Sequence, residues 1–123
     1  MAVFGIGIDL IEVGRIRRAI EKYGDRFTRR VFTAQEVGFC EGLVDKFPAY
    51  AARFAAKEAF SKALGTGLRG TISWQEIEVC DNERTRPTIT VTGAAKQRLG
   101  DRIIHLSLTH LANYAAAVVV IEN

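Results

Sequence analysis

The sequence predicts a single α+β domain, with helices from the first half packed on a mostly antiparallel sheet built largely from the second. Three observations carry this reading. Between residues 10 and 64 apolar residues recur at steps of three and four, the helical period. After Gly70 the repeat becomes two, the strand value. The chain also opens on VFGIGID, a β-prone stretch whose sheet partners must come from that second half. With 123 residues, 48% of them hydrophobic, the whole chain 1–123 reads as one globular domain with one moderate core. No internal repeat, low-complexity tract or linker interrupts it.

In order, residues 3–9 form a buried strand of Val3, Phe4, Ile6 and Ile8, its two glycines allowing close backbone packing. Asp9 ends it. A carboxylate there reads either as a ligand for a hard cation such as Mg2+ or as a cap for the next helix. That helix spans 10–23, with Val13, Ile16, Ile20 and Tyr23 on its apolar stripe and Arg15, Arg18 and Lys22 on another side. Gly24 stops it, and Asp25 caps a short turn that buries Phe27, Val31 and Phe32. The TAQE of 33–36 is a capping box, so a helix starts there and runs through Cys40 and Leu43 towards Lys46. The Phe47-Pro48 step breaks it.

The next helix, about 48–64, organises the chain. Its core, RFAAKEAFSKALGTG at 53–67, is rich in helix formers, with Pro48 suited to the first turn and Gly65 to a left-handed stop. Ala52, Ala56, Ala59 and Ala63 make a stripe of small residues that lets another element approach closely. Glu58 and Lys62 stack one turn apart beside it, and Arg53 and Lys57 form a second polar pair on another side. Glu58–Lys62 reads either as an ordinary solvated pair or, set among Ala and Phe and leading into Gly-Thr-Gly, as part of a site.

Residues 73–80 read as a strand with one wet face, and 81–86 as a polar turn. A second strand over 87–92 and a short helix over 94–99 follow. Strands 103–109 and 114–121 then pair as a hairpin around His110–Asn113. His110, at a strand end, is either a turn residue or a phosphate contact and acid–base group. His105 receives no role, and Trp74 and the phenylalanines are assigned to the core.

The net charge is +3, but Arg15, Arg17, Arg18, Lys22, Arg26, Arg29 and Arg30 are opposed locally only by Glu21 and Asp25. This face is either a solvated helix surface or a dock for an acidic partner. A nucleic-acid module is disfavoured, because no aromatics interleave with the basic residues and no recognition motif is present. A purely structural domain whose carboxylates merely pair with lysines is the other alternative. No apolar run is long enough to span a bilayer, and the N-terminus carries no signal-peptide pattern. Cys40 and Cys80, without CxxC spacing, read as buried thiols of a cytoplasmic protein.

GIGID with Asp9, RFAAKEAFSKALGTG with Glu58 and Lys62, and SLTH with His110 stand in one order at characteristic distances. Through them the chain resembles the bacterial holo-acyl-carrier-protein synthases, the small class of 4′-phosphopantetheinyl transferases, from Gly5 to Ile121. The resemblance implies the corresponding α+β fold and transfer of the 4′-phosphopantetheine of coenzyme A to a serine of an apo acyl carrier protein of fatty-acid or polyketide synthesis. Adenosine 3′,5′-bisphosphate is the by-product. It further implies Mg2+ dependence and a homotrimer with active sites at subunit junctions. By the same resemblance, Asp9 and Glu58 hold the metal and Lys62 contacts the transferred phosphate. Arg53 and His110 hold coenzyme A phosphates, the Gly65 loop meets the nucleotide end, and Arg15, Arg18 and Lys22 dock the acidic carrier. No covalent nucleophile stands out, so direct transfer is expected, with Glu58, directly or through a water it orients, as the base.

Overall fold

The first strand, β1 (Val3–Glu12), runs three residues past its expected end at Asp9. Leu10, Ile11 and Glu12 stay extended because Ala116, Ala115 and Tyr114 of β5 (Tyr114–Glu122) lie opposite them. That long-range ladder outweighs the local helical period. The computed structural model describes residues 2–68, 70–82 and 84–123. β5 is the centre of a three-stranded antiparallel sheet, with β1 on one side and β4 (Ile103–His110) on the other. The helix after β1 accordingly starts late, as α1 (Val13–Tyr23), and Val13 N–H donates to Asn113 O at the hairpin tip. Val13, Ile16 and Ile20 are buried as expected, whereas Tyr23 is exposed under the Lys22 ammonium.

The expected turn after Gly24 is a short helix, α2 (Asp25–Val31), whose N-cap is Gly24, with Asp25 its first residue rather than its cap. α3 (Ala34–Glu41) has the capping box: Thr33 Oγ1 accepts from Glu36 N–H, and Glu36 Oε1 accepts from Thr33 N–H at 2.8 Å. It stops at Glu41, short of the expected Lys46.

α4 (Phe47–Leu64) is the expected long helix, with Pro48 in its first turn and Gly65 left-handed at φ 89°. It lies across the sheet with its small-residue stripe against β1. A Cβ on Gly5 or Gly7 would overlap the backbone carbonyls of Ala63 or Ala59. Glycine opposite alanine thus brings strand and helix backbones into direct contact. Unlike the expectation, α4 has no polar side at Arg53 and Lys57: both are buried. α3, β2 (Ile77–Cys80) and the turn before β2 cover that flank.

The expected strand over 73–80 begins instead with a 3-10 turn, Trp74–Glu76. Trp74 is half-buried and stacks on Phe54, ring centroids 4.9 Å apart. β2 pairs only with β3 (Thr88–Val91), in a second, two-stranded sheet. Its alternation turns Ile77 and Val79 inward and Cys80 outward, so Cys80 is exposed rather than buried; Cys40 is buried, and burial raises its thiol pKa to about 11. Of the polar turn expected over 81–86, Glu83 lies outside the described residues, and Asn82 Oδ1 accepts from the N–H groups of Arg84 and Thr85. α5 (Gly93–Leu99) then leads into β4.

One correction concerns the sheet's outer face. Ile6 and Ile8 were expected in a buried strand and Leu10 in the following helix, yet all three lie on β1 and are about two-thirds exposed, at 63%, 66% and 67%. Alternation along β1 gives α4 the glycines, Asp9 and Ile11, and turns Ile6, Ile8 and Leu10 to the side that is left bare among the described residues. Among the described residues no helix is long and apolar enough to cross a membrane.

Candidate active site

Sheet register decides where Asp9 points. Gly5, Gly7, Asp9 and Ile11 lie opposite Ile121, Val119, Ala117 and Ala115, and these β5 residues are all buried beneath α4. Asp9 therefore faces the helix. Gly5 sits over Ala63 and Gly7 over Ala59. Two strand residues and four helix residues advance by similar lengths, roughly 6 Å. One more step brings Asp9 level with the turn that carries Glu58.

Lys62 reaches across this seam. Its Nζ lies 3.2 Å from Asp9 Oδ1 and donates to Ile8 O at 3.0 Å. Asp9 is mostly shielded, whereas the Lys62 side chain is half exposed. An ion pair with one end in water contributes at most about 1 kcal/mol. The ammonium is thus held loosely, available to any stronger anion that enters. Glu58 stands one turn before Lys62 on the same side of α4. Of the residues singled out in the sequence, Asp9 and Lys62 meet at this seam, and Glu58 lies one turn before Lys62 along α4.

Arg53 and His110 make a second cluster. His110 is not in the turn but is the last residue of β4; paired with Ala115, it faces the α4 side like Asp9. Both residues line a cavity of about 240 Å3, together with Phe39, Asp45, Pro48 and Asp81. The Arg53 guanidinium lies over the Phe39 ring, 4.7 Å from its centroid, and donates to Asp81 O at 2.9 Å and Ala49 O at 3.3 Å. Its Nε is buried without a hydrogen-bond partner. Nine residues separate Arg53 from Lys62, which is two and a half turns. The two clusters therefore occupy opposite flanks of α4 within one chain.

Gly65 terminates α4 beyond Lys62, and its N–H is taken by Ser61 O and Lys62 O. Arg15, Arg18 and Lys22 are exposed along the outer side of α1. What sequence reasoning missed is the partner of Lys57. Its Nζ lies 2.7 Å from Glu36 Oε1, both side chains shut from water. Burial pulls the Lys57 pKa below its ordinary value while Glu36 opposes the shift. The capping box already marked Glu36, but only for its bond to the Thr33 backbone.

Residues 5–119 match the model of the 4′-phosphopantetheinyl transferase superfamily. The chain belongs to this family. A holo-[acyl-carrier-protein] synthase of Solibacter usitatus is 46% identical over 124 residues, covering 98% of this chain and 99% of that protein. Among solved structures, the synthase of Neisseria meningitidis superposes with a TM-score of 0.89 at 32% identity, covering 99% of this chain and all of that one. The Bacillus anthracis synthase, crystallised in complex with CoA (3′,5′-ADP), gives 0.82 at 38% identity, covering 98% and 96%. These transferases share the α+β architecture end to end with this chain.

Proposed function

We infer that this chain transfers the 4′-phosphopantetheine group of coenzyme A to a serine of an apo acyl carrier protein, releasing adenosine 3′,5′-bisphosphate. The observation that carries the reading is the convergence of Asp9 and Lys62, 53 residues apart, in a family member aligned over its whole length with holo-acyl-carrier-protein synthases. In the reaction the serine Oγ bonds to the β-phosphorus of the pyrophosphate, and the bond to the bisphosphate leaving group breaks. Lys62, held by a half-exposed ion pair with Asp9 and a hydrogen bond to Ile8 O, turns to the phosphate as its charge grows. Glu58 takes the serine proton, directly or through a water. Arg53 and His110 fix the phosphates at the nucleotide end, and the Gly65 loop bounds that end.

Asp9 and Glu58 fit a magnesium ion. They offer hard oxygen donors and, as two carboxylates, would fill only part of a six-oxygen shell. That suits a cation that keeps waters and completes its shell from substrate phosphates. When bound, Mg2+ supplies Lewis-acid charge at the pyrophosphate.

The working unit is a homotrimer. One copy holds the Asp9–Lys62 and Arg53–His110 clusters on opposite flanks of α4, which supports a site completed where two copies meet. The bare face of Ile6, Ile8 and Leu10 is the apolar surface such an assembly would cover. The cytoplasm is the assigned compartment, where both free cysteines stay reduced.

The deciding experiment incubates the protein with coenzyme A, Mg2+ and an apo carrier, and weighs the carrier by mass spectrometry. A gain of one phosphopantetheine is expected; no gain with a competent carrier removes the reading. The carrier docks on α1. Reversing Arg15 and Arg18 to Glu is expected to raise KM for the carrier by about tenfold or more and to change that for coenzyme A less than about twofold. Equal effects on both would reject α1 as the dock.

A further inference from the structure

Lys57 and Glu36 take no part in the chemistry above, yet they form an ion pair fully shut from water. The Lys57 ammonium has three protons and three acceptors: Glu36 Oε1 at 2.7 Å, Val31 O at 2.7 Å and Trp74 O at 3.1 Å. Glu36 Oε1 also accepts from Thr33 N–H, and Oε2 accepts from Val79 N–H at 2.6 Å. One joint thus ties the end of α2, the start of α3, the turn before β2 and β2 itself to the middle of α4.

Burying two charges is a poor way to gain stability, because apolar side chains of similar size fill the same space as well or better. Hydrogen bonds to fixed backbone groups do something apolar packing does not: they fix direction. α4 needs that. Its contact with β1 at Gly5 and Gly7 is backbone on backbone, which sets how closely the two approach; the directed bonds of Lys57 to Glu36, Val31 O and Trp74 O set how the helix is turned. Glu58 follows Lys57 directly in the chain. On a helix of this radius, a roll of about 20° moves a carboxylate by roughly 2 Å, and a misplacement of about 1 Å can lower a rate about 100-fold.

We propose that the Glu36–Lys57 pair is a positioning device for the transfer reaction: it sets the roll and axial position of α4, and through them the place of Glu58 and Lys62 against Asp9. The proposal rests on the transferase reading; if the unmodified protein fails to load a carrier, that reading falls, whereas the tests below compare variants with an active parent.

The informative variant removes both charges, Glu36→Leu with Lys57→Met. No charge is left unpaired, so its Tm is expected within about 5 °C of the parent, whereas Lys57→Met alone loses more than about 10 °C. Turnover in the double variant is nevertheless expected to stay at least about tenfold low, with KM for coenzyme A changed less than about twofold. Mn2+ bound to the folded double variant without carrier, titrated by electron paramagnetic resonance, is expected to show a Kd raised about fivefold or more. Parental turnover and Mn2+ affinity at a recovered Tm would show the pair to be merely structural and overturn the proposal. Should the double variant fail to fold, Glu36→Gln is assayed well below its melting temperature, with the folded fraction measured by circular dichroism. A fall in kcat per folded molecule at constant KM supports positioning, and an unchanged kcat refutes it.

Discussion

Glu58→Gln is expected to leave the fold intact and to lower kcat by roughly 100- to 1,000-fold. The exchange keeps the shape of a half-buried side chain on α4 but removes its negative charge. A neutral amide is a far weaker donor to a hard divalent cation and accepts no proton from a serine. The measurement is kcat at saturating coenzyme A, carrier and Mg2+, alongside a thermal melt. The melt is expected to shift by less than about 3 °C, because substitutions away from buried networks stay within about 0.5 kcal/mol. Turnover like that of the parent would remove Glu58 from both its metal and proton roles.

Gly7→Ala is expected to cost much stability. An added methyl would overlap the carbonyl of Ala59 and crowd the nitrogen of Ala63, both backbone atoms of α4. No side chain is there to swing aside, so strand or helix must move. Such overpacking destabilises by about 3 kcal/mol or more, which for a chain of this size lowers Tm by roughly 10 °C. The displacement also parts Asp9, two residues along β1, from Lys62. Gly38→Ala is the control: it lies in α3 with open space around a new Cβ and should be neutral or stabilising. Parallel urea melts of the two variants read the difference directly. Equal midpoints would mean that β1 and α4 are not locked backbone to backbone.

Much of the helix that bears the chemistry was legible in the chain. The Ala stripe anticipated a close approach, Gly65 its left-handed stop, and TAQE the capping box, because each is a matter of local sterics or of hydrogen bonds a few residues apart. The candidate site was legible as motifs. Asp9 was nonetheless expected to end its strand and lies inside β1, and His110, expected at a strand end in the turn, closes β4 one residue beyond the expected strand. Periodicity reads an isolated segment, and the ladders that extended β1 and β4 come from β5, about a hundred residues from Asp9.

By itself, then, the sequence determined the class of fold, the order of its elements, the face of α4 that meets a neighbour, and the family. Tertiary structure alone decided what covers each face. It buried Lys57 and Arg53, which read as a polar pair on one side of the helix, and left bare Ile6 and Ile8, which read as part of a buried strand, and Leu10, which read as the start of a helix. It also set Lys62 beside Asp9 and Arg53 on the far flank of the same helix. The physical reason is that a side chain's environment belongs to the partner packed against it, and spacing along one element carries no information about which partner arrives.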